Sequence, residues 1–350
     1  MVTKMKYKDC ITFDELYKSM LKCKKGVLYK SSVAHYYLNG IEETIKLKDE
    51  LQNGTFKPRK SNHFTIYVPK RRDIVSISFR DRVHQRALND NIIYPVMSKS
   101  FIYDNCACQI NKGPDFARKR LKIFLEDFYR HHTINGYVLQ IDIHGYYPNM
   151  SHEYTEKLFK SNLDSDVFPV VKQILDRQYE GNVGYNPGSQ LIQIAGIAIL
   201  NKLDHICKEN LHLKYYVRYM DDFIILCDNY KHLHYCFQEI ENILFKIGFT
   251  FNKNKTRIFQ ITKSIPFLGF NFKLLETGKI LMIRKPEEVK RNKKHIKNLV
   301  KLAKQNVISK DKVDECVGSI CNFLDKGNSY NLKRKILNFY SSLLEDNNYG

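Results

Sequence analysis

The sequence lacks the features by which several protein classes are recognised. Its nine cysteines are an odd, scattered set with no Cys-X-X-Cys pair. Only Cys106-Ala-Cys108 is close, and that spacing suits a tetrahedral zinc site poorly; reduced, mostly buried thiols are expected. No apolar run approaches the roughly 20 residues of a membrane-spanning helix. The first residues, Met1-Val-Thr-Lys-Met-Lys-Tyr-Lys-Asp9, lack the apolar centre of a signal peptide, so a cytoplasmic chain with no membrane partner is expected. No internal repeat or low-complexity linker is visible. Acidic residues are also in short supply: 37 Asp and Glu stand against 57 Lys and Arg, for a net charge of +20. A chain this basic points to a polyanionic partner, and without a membrane segment nucleic acid is the better candidate. At 350 residues it can bury a substantial core and hold two or three subdomains.

What is present centres on Lys214-Tyr-Tyr-Val-Arg-Tyr-Met-Asp-Asp-Phe-Ile-Ile-Leu-Cys227. Two runs rich in β-branched and aromatic residues flank Asp221 and Asp222, a pattern that reads as a hairpin with the acids at or beside its turn. Adjacent like charges between apolar strands are costly unless a cation neutralises them. Taken alone, a solvated turn that happens to carry two acids is the lesser alternative. A third carboxylate changes this: Gly136-Tyr-Val-Leu-Gln-Ile-Asp-Ile143 is another strand-like run whose single charge is Asp142, and an aspartate in a buried strand is rarely tolerated unpaired. Two strand-borne acid sites brought face to face would make an oxygen cage for Mg²⁺ of the kind that clamps the attacking and leaving oxygens of a phosphoryl transfer.

At these residues the chain resembles the reverse transcriptases. Tyr219-Met220-Asp221-Asp222 is similar to their Tyr-X-Asp-Asp box, and Asp142-Ile-His-Gly-Tyr-Tyr147 to their first catalytic box. Further boxes follow in order over residues 56 to 340. Phe64–Val68 and Ile74–Phe79 read as strands around the basic tip Lys70, Arg71 and Arg72, and Arg82 and Arg86 share one face of a helix from Asp81. Arg72 through Leu88 is similar to the fingers box of bacterial reverse transcriptases, which implies triphosphate and template contacts from Lys70, Arg71, Arg72 and Arg82, although each could be an ordinary basic surface residue. Before and along a helix from Asp115 to Arg130, the resemblance implies that Lys112, Arg118, Lys119 and Arg120 touch template phosphates. It also implies that Tyr147 stacks under the sugar and excludes a 2′-hydroxyl; from the residues alone, a core aromatic at a strand end fits as well.

Asn186–Asp204 corresponds to the next box, a Gly-containing loop opening a long helix. Gly188, Ser189 and Gln193 are its expected nucleotide contacts, but Leu191-Ile192 and Pro187 depart from the family's Pro-Gln-Gly and Ser-Gln patterns. Lys255 matches the family's Lys-Thr pair, which implies an acid for the pyrophosphate leaving group, where a surface lysine is the plain alternative. Phe267-Leu268-Gly269-Phe270 resembles the primer grip, implicating Leu268 and Gly269, and Tyr219 and Met220 flank the acids. The metal-holding set implied is Asp142 with its neighbour Ile143, Asp221 and Asp222, with two Mg²⁺ ions or Mn²⁺ as a substitute.

The expected fold is α+β, a right-hand polymerase: a helical N-terminal extension (1–55), fingers (56–135), a palm (136–282, with helices over 151–210) and a helical thumb (283–350) dense in lysine. The Thr12-X-X-Glu15 capping box and Ile41–Gln52 mark helices of the extension. No zinc cluster or nuclease box follows the thumb, and no Val-Thr-Gly box like that of retron enzymes appears. The resemblance therefore narrows to stand-alone, group II intron-like bacterial enzymes. Two roles fit: antiphage defence with a dedicated structured non-coding RNA, to which Leu191-Ile192 tilts the balance, and error-prone diversification of a gene. The implied partners are an RNA template, a DNA primer or product, dNTPs, and in some cases a second copy or a partner protein. A protein-primed or untemplated polymerase and a non-catalytic RNA-binding scaffold are the alternatives from other classes.

Overall fold

The computed structural model describes residues 5–67, 71–185 and 188–345. Four helices open the chain: α1 (Tyr7–Cys10), α2 (Phe13–Cys23), α3 (Ser31–Leu38) and α4 (Gly40–Gln52). Thr12 caps α2 by accepting from the Glu15 N–H, but the reciprocal half of the expected capping box does not form. The Glu15 carboxylate turns outward to Lys18 and Asn91 instead. A hairpin follows, β1 (Asn62–Ile66) against β2 (Arg72–Ser76), with Phe64 opposite Ile74. Both strands begin and end two to three residues earlier than the sequence pattern suggests. Ser78 caps the next helix by accepting from the Asp81 N–H, which draws Phe79 into α5 (Phe79–Leu88) and buries it. A π-turn (Asn89–Ile93) then leads into α6 (Tyr94–Met97).

His84 of α5 is wholly buried, its ring edge-on to Phe56, and its Nδ1 has no partner among the described residues. Burial, followed by the charge of Arg80, depresses its pKa to about 3. The unfolded chain therefore binds a proton near pH 6.5 that the fold rejects, so stability is full above pH 6.5 and falls as the pH drops towards 3. We expect the unfolding free energy to fall by up to about 1.4 kcal/mol per pH unit across this window. In His84→Gln that slope flattens by one proton, which denaturant titrations at pH 4–7 would measure.

Next come α7 (Pro114–His132), β3 (Tyr137–Asp142), α8 (His152–Asn162), α9 (Phe168–Gln178), α10 (Gln190–Ala198) and α11 (Asn201–His205). The hairpin strands β4 (Tyr215–Tyr219) and β5 (Asp222–Cys227) follow, then α12 (Tyr230–Lys246) and β6 (Arg257–Gln260). Strands β4, β5, β3 and β6 form one sheet in that order, and β3 runs antiparallel to β6 with Tyr137 opposite Gln260. The apolar helix α10 is buried almost all round, as its lack of a polar stripe requires. It is not the long helix expected here, because the chain breaks at Leu200 before α11. The carbonyls of Gly196 and Ile197 at its end accept from the side chains of Tyr146 and Arg218, satisfying groups that a longer helix would have paired internally.

The chain ends with β7 (Ile265–Phe267), β8 (Phe270–Leu274) and β9 (Ile280–Arg284), a three-stranded antiparallel sheet, and with α13 (Pro286–Lys304), α14 (Lys310–Leu324) and α15 (Tyr330–Glu345). These three helices share a core of Ile296, Val300, Val313, Val317, Cys321, Leu324, Ile336 and Tyr340. By its contacts the chain forms two compact units. One comprises Met1–Gly113, Ile141–Phe223 and Tyr235–Thr256; the other comprises Pro114–Gln140, Ile224–His234 and Arg257–Gly350. All nine cysteines are free, five of them buried, and among the described residues no helix is long and apolar enough to cross a membrane.

Candidate active site

The first unit gathers the three aspartates that the sequence scatters over 80 positions. Asp142 closes β3, Asp222 opens β5, and Asp221 sits in the turn between β4 and β5. A backbone bond joins the two stretches, the Ile143 N–H donating to the Asp221 carbonyl at 3.3 Å, and another ties in the segment that carries Lys255, the Asn252 N–H donating to the Asp142 carbonyl at 2.8 Å. The turn is tight enough to force Met220 to φ +55°, a left-handed conformation that a non-glycine residue adopts at a cost.

The electrostatics record how closely the carboxyl groups crowd. Burial, then the negative charges of Asp221 and Asp142, push Asp222 up to about 7, and Asp222 is hydrogen-bonded to Asp142. Asp221 is also raised, by burial first and by Asp142 among the charges. The cation in direct contact is Lys255, whose Nζ lies 2.6 Å from Asp142 Oδ2. Burial works against its charge, but its hydrogen bond to Asp142 and the pull of all three aspartates more than offset that, so its pKa is raised. Lys255 remains half-exposed, free to exchange this partner for another anion.

Among the described residues no three Asp, Glu, His or Cys side chains stand as a preformed metal cluster. The donor set nonetheless fits a hard divalent cation, being all oxygen. Crowding of like charge raises two of the three carboxyls and draws the Lys255 ammonium to the third, the charge imbalance that a divalent cation would relieve. Ile143 is buried, so its backbone alone could take part.

Tyr147 and Met220 lie beside the aspartates, with the Tyr147 hydroxyl 3.7 Å from Met220 Sδ. The Tyr147 ring rests on Gly196, where a Cβ would come within 3.2 Å of it, so glycine at 196 leaves this ring its place. Tyr219 is half-buried at the end of β4, and Gln193 half-buried on α10. Gly188 is exposed in the turn before α10. Ser189 is turned inward, 2% exposed, where it caps α10 and donates to Gln85 Oε1 at 2.7 Å. Leu191 and Ile192 are core residues.

Arg82 lines a cavity of about 470 Å³ together with Lys30, His35, Arg59, Asn62 and Ser76. Arg71 is exposed at the hairpin beside Asp73. Lys70 lies outside the described residues, as does the side chain of Arg72. Two expected phosphate contacts are corrected. Lys112 donates to the carbonyls of Ile102, Tyr103 and Asn105, stapling its own loop. Arg118 is 5% exposed and bonds Leu268 O and Asp115, so its guanidinium is fully engaged inside the fold. Lys119 is exposed and Arg120 covers the Phe124 ring.

Leu268 and Gly269 belong to the second unit, in a turn with φ +43° and +84°. Arg118 donates to the Leu268 carbonyl and Arg284 to the Gly269 carbonyl, at 2.9 and 2.8 Å. Both guanidinium groups lie over Phe270 and Phe323, which stack on each other at 5.0 Å. Sequence reasoning missed Arg284 altogether. Its position at the end of an apolar strand is the signal that could have flagged it.

Comparison with known proteins bears on this arrangement. No curated protein matches the chain. Among solved structures it is similar to telomerase from Candida albicans in complex with a TWJ fragment of telomeric RNA, at 14% identity and a TM-score of 0.50, over 84% of this chain and 56% of that one. It is also similar to apo telomerase from Candida tropicalis truncated from its C-terminal domain, at 14% identity and a TM-score of 0.48, over 69% of this chain and 60% of that one. The chain thus spans little more than half the length of the Candida albicans protein, and that likeness shows the right-hand polymerase fold. The reverse transcriptase (RNA-dependent DNA polymerase) family matches residues 59–272, well over half of the sequence and all of the aspartate cluster. By that match the chain belongs to the reverse transcriptase family.

Proposed function

We propose that this protein is an RNA-directed DNA polymerase that adds deoxynucleotides to a 3′-hydroxyl with release of pyrophosphate. The observation that carries the reading is the crowding of Asp142, Asp221 and Asp222, with burial and these neighbours raising the Asp222 pKa to about 7. Such a cluster costs the empty protein stability and is explained by the cations it would hold. Mg²⁺ ions, or Mn²⁺ in their place, would when bound favour the ionised primer hydroxyl and neutralise the triphosphate. The protein's own part is positioning and charge. Lys255 keeps its proton and, released from Asp142, supplies it to the leaving pyrophosphate. Residues 56–135, 136–282 and 283–350 act as fingers, palm and thumb, with 1–55 as an N-terminal extension. The exposed Phe64, Tyr67 and Arg71 of the first hairpin offer rings and charge to bases and phosphates, and Leu268-Gly269 to the primer end.

Tyr147 is assigned as the residue that excludes ribonucleotides. Tyr147→Val is expected to raise ribonucleotide relative to deoxynucleotide incorporation by about 10–200-fold, the range a single pocket contact supports. Competition between dNTP and rNTP on one primer–template measures it, and an unchanged ratio removes the assignment.

In the cell, we assign the enzyme to the group II intron-like type acting in antiphage defence with its own non-coding RNA. The first test is sequencing of nucleic acid carried by the wild type and by Asp221→Ala/Asp222→Ala, before and after addition of dNTPs. DNA complementary to one bound RNA, made by the wild type alone, supports the reading. Copies with substitutions concentrated at template adenines would indicate gene diversification instead. The same RNA on both proteins with no DNA from either would leave an RNA-binding scaffold.

A further inference from the structure

Arg218 is 0% exposed in the middle of β4, and its surroundings are unusually specific. Its Nε and Nη2 form a two-pronged pair with Asp204, at 2.6 and 2.5 Å, and Asp204 is itself 0% exposed. Tyr216 donates to the same carboxylate at 2.5 Å, and the Arg218 Nη2 also reaches the Ile197 carbonyl. That leaves Nη1, which donates at 3.0 Å to the carbonyl of Met220.

A buried ion pair is weak evidence for stability, since its desolvation cost matches or exceeds its Coulomb gain and an apolar replacement often serves as well. This one points away from the core and into the turn. Met220 is the residue at positive φ, and the next two residues are Asp221 and Asp222. The Met220 carbonyl is held from one side by Arg218, and the Asp221 carbonyl by the Ile143 N–H. Two adjacent carbonyls of the turn are thereby pinned, one through Arg218 to Asp204 of α11 and one to Ile143, next to Asp142.

We infer that Arg218, anchored by Asp204, is a positioning residue that fixes the backbone of the Met220–Asp221 turn and so the placement of the Asp221 and Asp222 carboxylates. This rests on the reading of those aspartates as the polymerase centre.

The test compares Arg218→Lys, which keeps a cation for Asp204 and loses the arm to Met220, with the wild type and with Tyr216→Phe, which loses only a hydroxyl to Asp204. For Arg218→Lys, kcat is expected to fall about 10–100-fold with KM for dNTP essentially unchanged. Mn²⁺ binding, followed by electron paramagnetic resonance without substrate, is expected to weaken about tenfold or more. Tyr216→Phe should match the wild type in both. A folded Arg218→Lys with wild-type kcat and Mn²⁺ affinity overturns the inference, as does a KM effect alone. If Arg218→Lys does not fold, Asp204→Asn/Arg218→Gln removes both charges together and is held to the same criteria; if neither folds, the pair is a folding determinant and the positioning role is withdrawn. Asp221→Asn separates failure of the positioning role from failure of the polymerase centre. DNA synthesis that survives it sinks the polymerase centre itself, whereas its loss beside an unaffected Arg218→Lys sinks only the positioning role.

Discussion

Asp222→Asn is expected to abolish DNA synthesis while raising the melting temperature of the metal-free protein. The two effects share one cause. In the fold, Asp222 holds its proton up to about pH 7 because burial, Asp221 and Asp142 all oppose its charge. The unfolded carboxyl ionises near pH 3.9. Between those values the folded state binds more protons than the unfolded state, so stability falls as the pH rises from about 4 to 7 and stays reduced above that. Asparagine keeps the shape, removes the charge and removes that penalty, so a gain of a few degrees at pH 8 is expected, together with a flatter pH profile. Mg²⁺ should raise the midpoint of the wild type and leave that of Asp222→Asn nearly still. Activity goes the other way: losing a carboxylate that holds the charge-neutralising cations removes several kcal/mol from the transition state, about a thousandfold or more in rate. A variant that lost stability along with activity would show that Asp222 packs rather than repels.

Removing charge from one face of α13 is expected to weaken nucleic-acid binding without harming the fold. Lys290, Lys294, Lys297, Lys301 and Lys304 follow one another at steps of four and three, which places them on a single face of the helix. Ile296 and Val300 lie off that face, in the core of the three terminal helices. All five lysines are exposed, and none has an ion-pair partner among the described residues. A row of like charges repels itself, and phosphates would relieve it. Every phosphate left without its lysine should lower the salt dependence of binding by about 0.9 in log–log slope. For Lys294→Gln/Lys297→Gln/Lys301→Gln we expect the affinity for a primer–template to fall by one to two orders of magnitude at low salt, with the gap closing as salt rises. Thermal stability at low salt should hold or improve. An unchanged slope would show that this face meets no nucleic acid.

Much of the molecule was legible where a residue violates its local surroundings. Asp142 ends an otherwise apolar strand, and Asp221-Asp222 interrupts two others, so the cost of burying a lone charge already demanded a partner for each. The same logic applied to Arg218, a charge among Tyr-Tyr-Val and Tyr-Met, and to Asp204 at the end of an apolar helix. Neither announces its partner, because the pairing links the end of α11 to β4 across 14 residues, a distance that periodicity does not show. Arg118 was misread because an amphipathic helix of cations looks the same whether one of them turns inward or not. Its inward turn depends on Phe270, Phe323 and a carbonyl 150 residues away. Strand limits at the first hairpin slipped because Ser78 captured the start of α5. No strand propensity encodes that competition.

The clasp on the Leu268-Gly269 turn has a mechanical consequence. Arg118 from α7 and Arg284 from the end of β9 each hold one carbonyl of the turn, and both rest on the ring pair formed by Phe270 of the sheet and Phe323 of α14. Asn328, just past α14, exchanges two hydrogen bonds with Met282, and a Cβ at Gly327 would strike the Met282 carbonyl and the Phe270 ring. Lifting α14 from the sheet would strip both cations of the Phe323 ring and break both Asn328–Met282 hydrogen bonds at once. The sheet, the turn and α14 are thereby tied through one cluster, so a displacement of α14 bears on the two arginines that hold Leu268 and Gly269.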